Sequence, residues 1–231
     1  MGEAFDRYKD SYREDVQRSI GFVGQSHDFF TASKARHLLD LVRRNLGATT
    51  DLRVLDVGCG VGVTDALISS SFRSVHGVDV AAGVVDRAAA ANPAVDYRTY
   101  DGENLPFPDA SMDVTFAICV LHHVAPPARV SFVDEMKRVT RAGGLVLIFE
   151  HNPVNPLTRL AVARCEFDED VVLLSKRDVK RLLVASDMAV VEERYILFLP
   201  WMIDLSQKLD RLLHWLPLGA QHVTVARPTA P

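Results

Sequence analysis

The sequence is poor in the features that would place it in a membrane, an oxidising compartment or on a charged polymer. Its three cysteines, Cys59, Cys119 and Cys165, are odd in number and match no zinc spacing, so neither a disulfide framework nor a structural zinc site is expected. No apolar run approaches the ~20 residues of a spanning helix; the most apolar stretch, 195–205, is too short. Residues 1–12 are charged and lack an apolar centre, so no secretory signal is read there. No basic block is present and the formal net charge is −4, which argues against a nucleic-acid partner. Oxygen ligands at planned spacings are missing too, so no metal is expected. These absences point to a soluble, cytoplasmic protein.

What is present suits one folded domain. Hydrophobic residues make up 48% and charged residues 24% of 231, enough apolar surface for a substantial core. Residues 1–50 read as a helical cover, with positions 35, 38, 39, 42 and 46 on one apolar face. Residues 51–231 read as the core. Strands are expected at 53–57, 74–80, 95–100, 113–120 and 145–149, with helices at 63–71, 82–91 and 127–141 between them. The Gly143-Gly144 pair is expected to end the last of these helices. Such alternation implies a doubly wound α/β sheet covered on both faces. Further on, Ser175 and Asp178 form a capping pattern for a helix running to Asp187, and strands follow at 190–199 and 222–227. Between those strands, 200–217 is an amphipathic insert whose stripe includes Trp201, Leu205, Leu209, Leu212, Leu213 and Leu216. A lid, a homodimer contact or plain packing would each account for it. The charged run Phe167-Asp-Glu-Asp170 reads as a solvated loop.

The chemistry is concentrated after the first strand. In Val54-Leu-Asp-Val-Gly-Cys-Gly-Val-Gly62 a strand runs into three glycines at alternate positions and then into a helix. Such a turn lets a ligand approach the backbone and face helix N-terminal amides. The dinucleotide pattern G-x-G-x-x-G would need glycine at 63, where valine stands, and no P-loop is present. Asp79, at the end of the second strand, suits the two hydroxyls of a ribose.

Taken in order, Val54–Gly62, Gly77-Val-Asp-Val80, Asp101-Gly-Glu-Asn-Leu-Pro-Phe-Pro-Asp109 and Phe116–His123 resemble the successive motifs of class I S-adenosylmethionine-dependent methyltransferases. The likeness is to their small-molecule branch, which includes quinone C-methyltransferases and natural-product enzymes. The resemblance implies a Rossmann-like seven-stranded sheet, mostly parallel with the last strand antiparallel. It also implies S-adenosylmethionine as cofactor and S-adenosylhomocysteine as product. By the same likeness Gly58, Cys59, Gly60 and Gly62 line the methionine moiety, and Asp56 orients the loop or meets the amino group. Asp79 holds the ribose, Val80 touches the adenine, and Asp101, Gly102 and Glu103 meet its edge. Cys119, Leu121 and His122 fall beneath the cofactor, with His122 a wall of its pocket.

Methyl transfer asks for alignment and exclusion of water, and for a base if the acceptor is a hydroxyl. Histidine is the usual base near neutral pH. His151, beside Glu150 at the end of the fifth strand, is the first candidate, and His27 is another; His123 reads as structural. Oxygen is the first expectation for the acceptor atom, then nitrogen, then carbon. The acceptor itself reads as a moderately apolar small molecule such as a secondary metabolite, a lipid or a lipid-linked sugar. Tyr8, Tyr12, Phe29 and Phe30 are candidates for an aromatic cover. A cofactor-binding scaffold without turnover is the competing reading. Amino-group methylation of nucleic acid is disfavoured, because Cys119-Val-Leu-His-His123 stands where an Asn-Pro-Pro-Tyr-like signature would be.

Overall fold

Each apolar segment from residue 53 onward that reads as a strand enters one sheet. The computed structural model describes residues 17–19, 21, 24–168, 171–199 and 203–229. Seven strands are formed: β1 (Arg53–Val57), β2 (Ser74–Asp79), β3 (Asp96–Thr99), β4 (Met112–Ile118), β5 (Thr140–His151), β6 (Met188–Ile196) and β7 (Gln221–Pro228), in the order β3-β2-β1-β4-β5-β7-β6. Strands β1 to β5 pair in parallel, and β7 lies antiparallel between β5 and β6. This is the seven-stranded, mostly parallel arrangement that the motif order implies.

The helices are α1 (His27–Leu46), α2 (Val63–Ile68), α3 (Ala82–Ala91), α4 (Arg129–Val139), α5 (Pro156–Val162), α6 (Lys176–Ala185) and α7 (Ile203–Leu213). Side chains that alternate along each strand feed two separate cores. Val54, Phe116 and Leu147 pack with Leu38, Leu41 and Val42 of α1 on one face. Their strand neighbours Leu55, Ala117 and Ile148 pack with Val133 and Met136 of α4 and Val179 and Leu183 of α6 on the other. Burial on both faces explains why these strands read as unbroken apolar runs. The expected capping box of α6 is present: Ser175 and Asp178 each accept the other's backbone N–H.

Two expectations change, and the 200–217 insert carries a buried acid the sequence did not announce. Helix α4 stops at Val139, and Gly143-Gly144 lies inside β5. Pairing of β4 with β5 jumps from Met112↔Thr140 to Val114↔Leu145, so the glycines form a bulge in the strand and not a helix stop. In the 200–217 insert Leu212 is 69% exposed while Asp210 is 1% exposed. Asp210 is held inside because it accepts from His37 Nε2 at 2.7 Å and from the Leu197 and Phe198 amides at 3.0 Å. The run from Phe167 is not wholly solvated, because the Asp168 side chain is only 11% exposed and faces two imidazoles. Tyr8, Tyr12, Glu169, Asp170, Trp201 and the Leu205 side chain lie outside the described residues.

The strand order reverses between β1 and β4. In open α/β sheets ligands bind beyond the carboxyl ends of strands at such a switch point.

Candidate active site

A cavity of about 520 Å³ opens at that point. Its floor is the glycine turn after β1, where Gly58 and Cys59 donate to Val78 O at 2.8 and 3.0 Å. Gly60 has φ 54° and Gly62 has φ 73°, conformations that a side chain would strain. A Cβ at Gly62 would also collide with the Tyr97 hydroxyl, whereas Gly60 has open space where its Cβ would stand. Asp79 braces this turn with both carboxylate oxygens: Oδ2 accepts from Gly60 N and Oδ1 from Ala81 N, each at 3.0 Å. Opposite, Asp101 Oδ1 accepts from the Glu103 and Asn104 amides at 2.8 and 2.7 Å, which sets the turn carrying Gly102. Those backbone bonds hold the Asp101 carboxyl below its ordinary range.

Beneath the floor lies a pair of buried acids. Asp56 lines the cavity, and one of its oxygens has no hydrogen-bond partner. Burial, and then its neighbour Asp65, push the Asp56 carboxyl well up. Asp65 is fully buried, accepts from Tyr97 Oη at 2.9 Å, and is raised by burial to about 7. A carboxyl pair kept largely neutral by burial and by mutual repulsion gives the cavity a polar floor without a fixed negative charge.

A second cavity of about 200 Å³ shares four walls with the first: His27, Lys34, Cys119 and His123. Its remaining walls mix apolar side chains, among them Phe30, Leu157 and Phe198, with His122, His151, Asp168 and Gln221. His122 Nδ1 lies 2.6 Å from Glu150 Oε2 in a fully buried pair. Burial opposes charge on both partners, yet their mutual attraction wins: His122 is held up to about 10 and Glu150 down to about 2. His151 lies next to them, ring centroids 5.2 Å apart, and burial followed by the charge on His122 brings it down to about 4. Its Nδ1 is 3.4 Å from Gln221 Nε2, which also donates to Cys119 Sγ at 3.3 Å. Cys119 sits at φ 58°, strained for a residue with a Cβ, and burial pushes its thiol up.

Most residues singled out in the sequence converge here. Asp56, Gly58, Cys59, Gly60, Asp79, Val80, Asp101, Gly102, Glu103 and Cys119 line the first cavity, and His27 lines both. The remainder are arranged otherwise. Leu121 is fully buried in the core, and Gly62 starts α2 and does not line the cavity. His122 faces the second cavity alone, Glu150 faces neither and reaches the site through His122, and His123 is a wall of both. Phe30 lines the second cavity, and Phe29 packs edge-on against Phe30 without lining either cavity. Lys34, Asp168 and Gln221 carry no local motif and are brought in by α1, the segment after α5 and β7.

The Methyltransferase domain family matches residues 55–148. A probable S-adenosylmethionine-dependent methyltransferase of Mycolicibacterium smegmatis is 39% identical over 101 residues, 44% of this chain and 38% of that one. The chain therefore spans well under half the length of that relative. Phosphatidylethanolamine N-methyltransferase of Cereibacter sphaeroides is 32% identical over 149 residues, 61% of this chain and 72% of that protein. The chain is a class I S-adenosylmethionine-dependent methyltransferase. Its fold is shared with a chain of the complex between the Haloferax volcanii Trm112 methyltransferase activator and its methyltransferase, at TM-score 0.67, 17% identity and 98% coverage of both chains. The open Gly60 turn and the Asp79 carboxylate fit the close backbone approach and the ribose diol that S-adenosylmethionine would bring to the larger cavity. Among the described residues no helix is long and apolar enough to cross a membrane.

Proposed function

We propose that the protein methylates a hydroxyl of a small, largely apolar acceptor held in the second cavity. The observation that carries this reading is the junction of the two cavities at His27, Lys34, Cys119 and His123. A donor in one and an acceptor in the other would meet at that wall. When bound, S-adenosylmethionine supplies a sulfonium-activated methyl group. Asp56, Asp79 and Asp101 orient it by accepting hydrogen bonds, and the glycine turn admits it against the backbone. Phe30 and Phe198 give the acceptor side an apolar wall, which would favour in-line approach over hydrolysis.

His151 is the proposed proton acceptor: its ring lines the acceptor cavity, and Gln221 orients it. Glu150 acts through His122 as a positioning group, and His27 closes the junction from α1. Because one relative is named for methylating phosphatidylethanolamine, a lipid or lipid-like molecule heads the acceptor list, and nitrogen follows oxygen as the receiving atom. The test is transfer of a labelled methyl group to a panel of apolar alcohols, phenols and phosphatidylethanolamine vesicles. Label in an organic-soluble product supports the reading. S-adenosylhomocysteine binding with no transfer across the panel would return the chain to the role of a cofactor-binding scaffold.

A further inference from the structure

The acceptor cavity contains a group of side chains that proton transfer alone does not explain. His122 and His123 follow one another in the turn after β4, with ring centroids 4.2 Å apart. Both present Nε2 to the same oxygen of Asp168, at 3.5 Å and 3.3 Å. The ligand atoms of the three residues all lie within 4.8 Å of one another. His122 Nε2 is buried and, at that distance from Asp168, makes no hydrogen bond. A buried imidazole nitrogen whose nearest partner is a carboxylate oxygen shared with a second imidazole occupies a potential ligand position.

We propose that His122 Nε2, His123 Nε2 and Asp168 Oδ1 form a three-ligand site for a divalent transition metal of the zinc type. Metal–nitrogen and metal–oxygen bonds near 2.0–2.2 Å set tetrahedral ligand edges at about 3.3–3.5 Å. The two separations from Asp168 match such an edge, and the His122–His123 edge, within 4.8 Å, would close on binding. Two imidazoles and a carboxylate are ligands that zinc accepts, and three protein ligands leave a fourth position open. Glu150 supplies the support such sites require. It takes the Nδ1–H of His122 at 2.6 Å, so that Nε2 is the nitrogen left for an ion, which binds by displacing the Nε2 proton. Arg129 holds the same turn from outside, donating through Nε to Val124 O at 2.9 Å.

The open position faces the second cavity, which His122, His123 and Asp168 all line. An acceptor oxygen bound there would be polarised and its proton made easier to remove. That role rests on the methyl-transfer reading, whereas binding of the metal does not.

The test uses the whole chain, stripped with chelator and free of cofactor, titrated with Zn²⁺ by calorimetry and with Co²⁺ by visible absorption. The expected result is one ion per chain, the intense bands of tetrahedral cobalt and a raised melting temperature with Zn²⁺. His123→Ala and Asp168→Ala should each weaken Zn²⁺ by about 100-fold or more, and Glu150→Gln by about 10-fold. Circular dichroism reports whether each variant folds, and Asp168→Asn carries the same comparison if an alanine variant does not. No stoichiometric ion, or a faint six-coordinate cobalt spectrum indifferent to these changes, overturns the proposal. S-adenosylhomocysteine titrated into the same wild-type sample reports separately on the cofactor cavity, so the two readings can fail independently.

Discussion

Replacing Asp79 by alanine tests the cofactor cavity most directly, because that one carboxylate has two separable duties. Its two oxygens each accept one backbone N–H, from Gly60 and from Ala81 at 3.0 Å. A carboxylate offers about four acceptor positions, so it can hold a backbone turn and also accept from the hydroxyls of a ribose. Hydrogen bonds to a charged acceptor contribute about 1.5–3 kcal/mol each. The ribose bonds are partly exposed at the mouth of the cavity, so we expect a combined loss of about 2–3 kcal/mol. That corresponds to roughly 30- to 150-fold weaker S-adenosylhomocysteine binding by calorimetry. The structural duty appears separately as about 1–2 kcal/mol of lost stability in urea, from the two amides left without a partner. Asp79→Asn keeps one acceptor oxygen and should fall between the two proteins in both assays. Affinity within twofold of wild type in a folded Asp79→Ala protein would refute the assignment of this cavity to a ribose-bearing cofactor.

Other perturbations probe the buried charges. Asp65 is raised from 3.8 to about 7, so the folded state holds a proton that the unfolded state releases; stability should decline as pH rises from about 4 through 7. Asp65→Asn keeps an acceptor for Tyr97 and removes that ionisation. At about 1.4 kcal/mol per unit the bound is about 4 kcal/mol, and with Asp56 still titrating we expect about 2 kcal/mol of gain at pH 8 and little at pH 4. Equal differences in urea midpoints at the two pH values would sink this account. His151→Gln should cut methyl transfer to a hydroxyl by about 10²–10⁴ while leaving S-adenosylhomocysteine affinity within twofold; an unchanged rate would remove His151 as the base. Asp210→Ala strands the His37 imidazole and two amides inside the protein and should cost about 3–5 kcal/mol. A loss under 1 kcal/mol would mean that the pair does not anchor α7.

What could be read in the sequence was what neighbours in the chain dictate. The turn from Val54 to Gly62, the Asp79 strand end and the capping box at Ser175 are set by residues within one element or one turn. The strand runs were legible because both faces are buried. The rest depends on partners far along the chain. Nothing local says that Asp168 turns inward to His122 and His123, or that Asp210 of α7 is buried against His37. The Gly143-Gly144 pair was ambiguous in itself, since the same residues suit a helix end or a strand bulge. Only the pairing of Val114 with Leu145 decides between them.

The cysteine in the wall between the two cavities has a chemical consequence of its own. A sulfur atom beside an activated methyl group is a competing nucleophile, and an enzyme so built could alkylate itself. The thiolate is the reactive form and the thiol is nearly inert. Burial keeps Cys119 in the thiol form, and the Gln221 amide donates to its sulfur. If the cofactor's methyl group reaches this wall, holding Cys119 as a thiol would keep the protein from being its own first substrate, and a variant that raised its thiolate fraction would trade turnover for self-inactivation.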